Sequence, residues 1–155
     1  MVAKVGANDV ADFILHFCHE HGDCITNLKL QKLAYYAQAW YLALNNDQPL
    51  FDEPIEAWVH GPVVPSLYQR FRTYRWEPIP LNPAPPVSLP ANVQTHLKEI
   101  MDVFGGFSAY ELERMTHEES PWLNARGDLP MDESSNAVIS HKDMSSYYKK
   151  LIPES

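Results

Sequence analysis

The densest set of reactive side chains occupies seven consecutive positions: Cys18, His19, Glu20, His21, Gly22, Asp23 and Cys24. Two thiols and two imidazoles are the donor types that hold a tetrahedral zinc ion. One short segment rarely wraps four ligands round a metal, however, and both cysteines have apolar roles to hand. Cys18 falls on the apolar stripe of a helix and Cys24 stands beside Ile25. Both are expected to pack in the core as reduced cytosolic thiols with no metal bound.

The other chemical motifs fail on spacing. His19-Glu20 is followed by Asp23, and His117-Glu118 by Pro121, where a zinc-protease helix needs its second histidine. The six glycines never take the spacing of a Walker loop or a dinucleotide fingerprint. Ser108, after Gly106, resembles half of a nucleophile elbow, but with Glu111 three residues on it reads as a helix cap. A dispersed hydrolase would have to draw His60, His117 or His141 together with a carboxylate or cysteine in one cleft. No catalytic, cofactor-binding or metal-binding residue is assigned, and the chain is expected not to be an enzyme.

Positive charge concentrates at one place only, where Arg70, Arg72 and Arg75 alternate with Phe71, Tyr74 and Trp76. Three readings fit. Arginine beside tyrosine and tryptophan is the composition of protein-interface hot spots. The same pattern could stack single-stranded bases, or could simply be a helix end with cations favoured by the helix dipole and Phe71 and Trp76 in the core. Of these, contact with a partner at Arg70, Arg72, Tyr74 and Trp76 is the reading carried forward. With a formal net charge of -8 the chain repels phosphate backbones and attracts basic partners, so nucleic acid is not the expected ligand.

These groups must be held by a chain of 155 residues. One domain of that size buries about 70% of the surface its unfolded form exposes. Apolar residues at helical spacing predict a helix over 8–21 (Val10, Phe13, Ile14, Phe17, Cys18) that Asn8 or Asp9 caps and Gly22 stops. A second helix runs from Thr26, its cap, to Leu44; it is apolar on two sides and is expected to be a buried central post. After a polar loop, 55–59 alternates as a strand that Gly61 and Pro62 end. Pro65 starts a helix that fades near Tyr74, and a proline-rich connector follows over 76–90, where Ile79 could pair with the Trp58 strand.

Val93, Leu97, Ile100, Met101 and Phe104 form the next helical face, closed by Gly105 and Gly106. Short helices are predicted from Ser108 with Glu111, from Ser120 and Pro121, and from Ser140 with Asp143. The uncharged stretch 33–46 is too short and too polar to span a bilayer, and no apolar leader opens the chain, which reads as cytoplasmic. The fold class expected is mainly α: a compact single-domain helical bundle over 1–155 around a buried central helix, with a small β-ribbon and a proline-rich connector.

Three blocks also resemble one family: LQKLAYYAQAW at 30–40, EAWVHGPV at 56–63 leading into Pro65, Ser66, Leu67 and Tyr68, and 112–122 with its THEESPW at 116–122. Their order and spacing resemble the Panacea domain, which contains SocA-type antitoxins and phage-associated GepA-like proteins. The resemblance implies an antitoxin of a bacterial or prophage toxin–antitoxin pair that binds a protein toxin encoded by an adjacent gene. It also implies an alternative, an adaptor that delivers the toxin to the ClpXP protease.

Overall fold

The computed structural model describes residues 5–84 and 89–153. Its elements, in chain order, are α1 (Ala7–Glu20), α2 (Asn27–Leu44), β1 (Glu56–Trp58), β2 (Gly61–Val63), α3 (Pro65–Phe71), a 3-10 turn (Arg72–Tyr74), α4 (Ala91–Phe104), α5 (Ala109–His117), α6 (Ser120–Arg126) and α7 (His141–Lys149). The mainly helical class with one small ribbon is as expected. Part of the proline-rich connector, 85–88, lies outside the described residues.

The central post is α2. Thr26 caps it by accepting from the Lys29 amide at 3.2 Å, and residues 31–39 are buried without interruption. The two-sided apolar pattern explains that burial only in part, because Asn27, Gln31, Lys32 and Gln38 are buried too. Each pins a loop. Gln38 donates to the Phe51 carbonyl at 2.6 Å and accepts from the Leu50 amide at 2.7 Å. Gln31 accepts from the Val64 amide at 2.9 Å and donates to Asn27, which in turn donates to the Tyr68 carbonyl. Backbone that neither helix nor sheet satisfies is thus satisfied from the post. At the top of α2, Asn46 and Asp47 take left-handed φ values of 54° and 66°, a conformation these two residue types tolerate best after glycine.

Against α2 packs α7, joined by buried hydroxyls: Tyr35 and Tyr148 meet at 3.0 Å, while Glu119 accepts from Tyr36 at 2.7 Å and from Tyr148 at 2.9 Å. Burial and the neighbouring Glu119 carboxylate hold the Tyr36 hydroxyl well above its ordinary pKa. Tyr36 also stacks on Phe104 of α4, with centroids 4.2 Å apart.

Several local expectations need correction. Helix α1 begins at Ala7; Asp9 acts from inside the first turn on the Gly6 amide, and Glu53 accepts from the Ala7 amide at 2.8 Å. Gly61 and Pro62 do not end the ribbon but form its second strand, with Trp58 opposite Gly61 and Ala57 opposite Pro62. Proline is admissible there because β2 is an edge strand with no second ladder partner that would need its N–H, and its carbonyl accepts from Lys32 of α2. Ile79 does not join this ribbon. The far side of β1 is taken by 137–139, and Ile79 donates instead to the Ile25 carbonyl at 2.8 Å. Cys18 is buried as expected, and burial with nearby Asp23 pushes its thiol up to about 11, but Cys24 is exposed. Leu44 and Leu151 are exposed at helix ends rather than packed.

Candidate partner-binding groove

Two hollows lie on the outer face of the hairpin. One, of about 830 Å³, is lined by Leu28, Glu56, Trp58, Val59, His60, Val63, Tyr68 and residues 134–136. The other, of about 610 Å³, is lined by Asn27, Leu28, His60, Tyr68, Arg72, Thr73, Arg75 and Trp76. They share Leu28, His60 and Tyr68, so they adjoin along one face. Trp58 and Tyr68 stiffen the floor by an edge-to-face contact with centroids 4.9 Å apart.

The arginine–aromatic stripe divides at this groove. Arg72, Arg75 and Trp76 line it, and Trp76 is 75% exposed, which places its indole outside the core. Arg70 points elsewhere: it donates to Asp12 at 2.6 Å and to Asn8 at 3.1 Å, with its guanidinium over the Phe71 ring. Tyr74 is half-buried against the core, and Phe71 is fully buried. Arg70 and Tyr74 therefore fix the base from which Arg72, Arg75 and Trp76 project.

Sequence reasoning missed the opposite wall, 134–136, because a buried arginine places it from a distance. Arg126 of α6 donates to the carbonyls of Ala57 (3.1 Å), Pro130 (2.8 Å) and Met131 (3.5 Å), and also to that of Glu133. Its guanidinium lies 4.8 Å from the Trp122 ring centroid.

His60 bonds the Glu113 carboxylate at 2.8 Å, and the His117 ring stacks on Trp122 at 4.0 Å. Neither meets a serine, threonine or cysteine side chain within hydrogen-bond reach among the described residues. In the Cys18 to Cys24 segment, Cys24 Sγ is 3.9 Å from the His19 ring nitrogens, while His21 turns back to the Phe17 carbonyl. No group of three metal-ligating side chains converges among the described residues. Nor is any helix among them long and apolar enough to cross a membrane.

The three blocks meet behind the groove. Lys32 Nζ donates to the Pro62 carbonyl at 3.3 Å, Trp122 Nε1 to the Trp58 carbonyl at 2.8 Å, and Tyr36 to Glu119. The family model described as "Antitoxin SocA-like, Panacea domain" matches residues 30–123, a span that holds all three blocks and the cationic end of the groove. The chain belongs to this SocA-like Panacea family. "Antitoxin SocA" of Caulobacter vibrioides (strain NA1000 / CB15N) is 38% identical over 68 residues, 44% of this chain. That match spans 36% of the relative's length, so the chain covers well under half of it. No solved structure matches the chain.

In the Panacea blocks, then, buried polar residues clasp a hairpin to the post, and Lys32 is the most costly of them. Its ammonium is fully buried, and burial lowers it from 10.5 to about 8 even though Glu113 opposes the shift. Between those pH values the folded chain holds fewer protons at Lys32 than the unfolded chain, so this group's contribution to stability rises with pH. The unfolding free energy of the parent relative to Lys32→Met should climb by on the order of 3 kcal/mol from pH 8 to pH 10.5. Taking the difference removes the opposing titration of Cys18 and the buried tyrosines. Chemical denaturation at matched pH measures it, and a difference that stays flat would mean that Lys32 is not buried as a cation.

Proposed function

We propose that this chain is a single Panacea-like domain over 1–155 that acts in the cytoplasm as the antitoxin of a bacterial or prophage type II toxin–antitoxin pair. It neutralises a protein toxin encoded by an adjacent gene by direct binding and performs no catalysis. One observation carries the reading: within the span matched by the family model, the groove beside the hairpin is lined by Arg72, Arg75 and a 75%-exposed Trp76. An exposed tryptophan directly after Arg75, on a base already fixed, supplies hot-spot contacts at little ordering cost. The net charge of -8 favours approach by a basic partner and adds rate rather than holding energy.

The test is co-expression. The neighbouring gene's product alone should arrest growth, and this chain should restore growth and copurify with that product. Restored growth that requires ClpXP, with no stable complex between purified components, replaces masking by the adaptor mechanism. A harmless neighbour removes the antitoxin reading.

A further inference from the structure

We infer that the groove receives an acidic–apolar segment of the protein partner, with apolar side chains over Trp58, Val63 and Tyr68 and a carboxylate between Arg72 and Arg75. This rests on the direct-binding reading above and adds the chemistry of the bound segment. Charge comes first. In a chain of net charge -8, Arg72 and Arg75 are exposed and make no ion pair among the described residues, whereas Arg70, two positions earlier, is paired with Asp12 at 2.6 Å. Glu77, the nearest acid in sequence, pairs with neither. Two unpaired guanidinium groups at one end of an apolar trough match a planar carboxylate carried on an apolar segment.

Backbone conformation is the second and independent observation. Arg75 has φ 54° and ψ -120°, a region that suits glycine and strains other residues. The strain is held from both sides. Before it, the Arg75 amide bonds the Arg72 carbonyl at 3.1 Å; after it, Glu77 bonds the Tyr74 carbonyl, and Ile79 bonds Ile25. A glycine would relax the turn but would carry no charge. The turn thus projects a guanidinium and the neighbouring Trp76 indole on a fixed base, which lowers the ordering cost of binding. A nucleic-acid strand suits the site less well, because two cations would face many phosphates in a field that is negative overall. The net negative charge steers a basic partner, and the two arginines set the register of its acidic segment.

The experiment titrates the purified cognate toxin into the parent, Arg72→Glu, Arg75→Glu and Arg75→Gly. Either charge reversal should weaken binding by about a hundredfold or more. Arg75→Gly should raise the thermal midpoint by releasing strain and yet weaken binding about tenfold. A lysine introduced at the toxin aspartate or glutamate that crosslinks nearest Trp76 should restore binding to Arg75→Glu. If the parent binds and the reversals bind within threefold of it, the acidic-segment proposal falls while direct neutralisation stands. If the parent itself forms no complex, the direct-binding reading falls and takes this proposal with it. Arg75-dependent capture of a single-stranded oligonucleotide, or an Arg75-dependent dimer of this chain, also overturns it.

Discussion

Gly61→Val is expected to unfold the protein or lower its thermal midpoint by about 10 °C or more, the result of several kcal/mol in a domain of this size. Gly61 has φ +108°, far from conformations open to β-branched residues. A Cβ there would lie 2.5 Å from Lys32 Cε and 3.1 Å from Thr116 Oγ1. The lysine tip cannot swing away, because the side chain is fully buried and its ammonium bonds the Pro62 carbonyl. Strain and overpacking each contribute about 1–3 kcal/mol, and displacing Lys32 adds the loss of a charged hydrogen bond. Gly106→Ala is the control, since nothing lies within 4 Å of the new Cβ and its φ is ordinary. Thermal unfolding of both variants decides the matter; a Gly61→Val protein with the parent's midpoint would mean that the hairpin is not clasped as described.

Arg126→Ala should cost about 3 kcal/mol or more, and its damage should be localised. The guanidinium feeds carbonyls on β1 and on the loop after α6, and no apolar side chain can take over those bonds. Arg126→Lys should recover little, because a single ammonium cannot replace a planar fork whose two nitrogens point at separate segments. Loss of this anchor frees residues 128–136, one wall of the groove, while Arg72 on the 3-10 turn and Trp76 just beyond it keep their support from α3. Amide exchange should therefore accelerate over 128–136 well before it does over 72–76. Equal acceleration everywhere, or none, would show that Arg126 is not the anchor.

What could be read in the sequence follows the length scale of the cause. The helices are local: Thr26, Ser108 and Ser140 cap them through bonds three residues long, and the stripe from Val93 to Phe104 is buried as its spacing implies. The post was legible because α2 carries apolar residues on two sides. Its internal polar row was not, since Gln31, Lys32 and Gln38 become core residues only through loops 12 to 33 positions away.

The ribbon misled for a related reason. Gly61 and Pro62 are turn residues by local chemistry, and they form a strand here through pairing with β1 at the ribbon's edge, with the buried lysine behind them. The groove itself was hidden. Leu28, Trp58, Tyr68 and 134–136 come from separate segments, and the positive φ of Arg75 has no sequence signature. What could be seen was the arginine–aromatic stripe, with the location but not the direction of its side chains.

We propose that this Panacea-family chain holds a protein partner at the exposed end of its hairpin groove. Titrating the purified product of the proposed neighbouring toxin gene into the parent and into Trp76→Ala, with thermal midpoints recorded alongside, tests this most directly. Trp76 is exposed, so its removal should leave the midpoint nearly unchanged while weakening a saturable complex by about 2 kcal/mol, roughly thirtyfold in Kd. A saturable complex that Trp76→Ala forms as tightly as the parent, or toxin neutralisation with no complex at all, would contradict the claim.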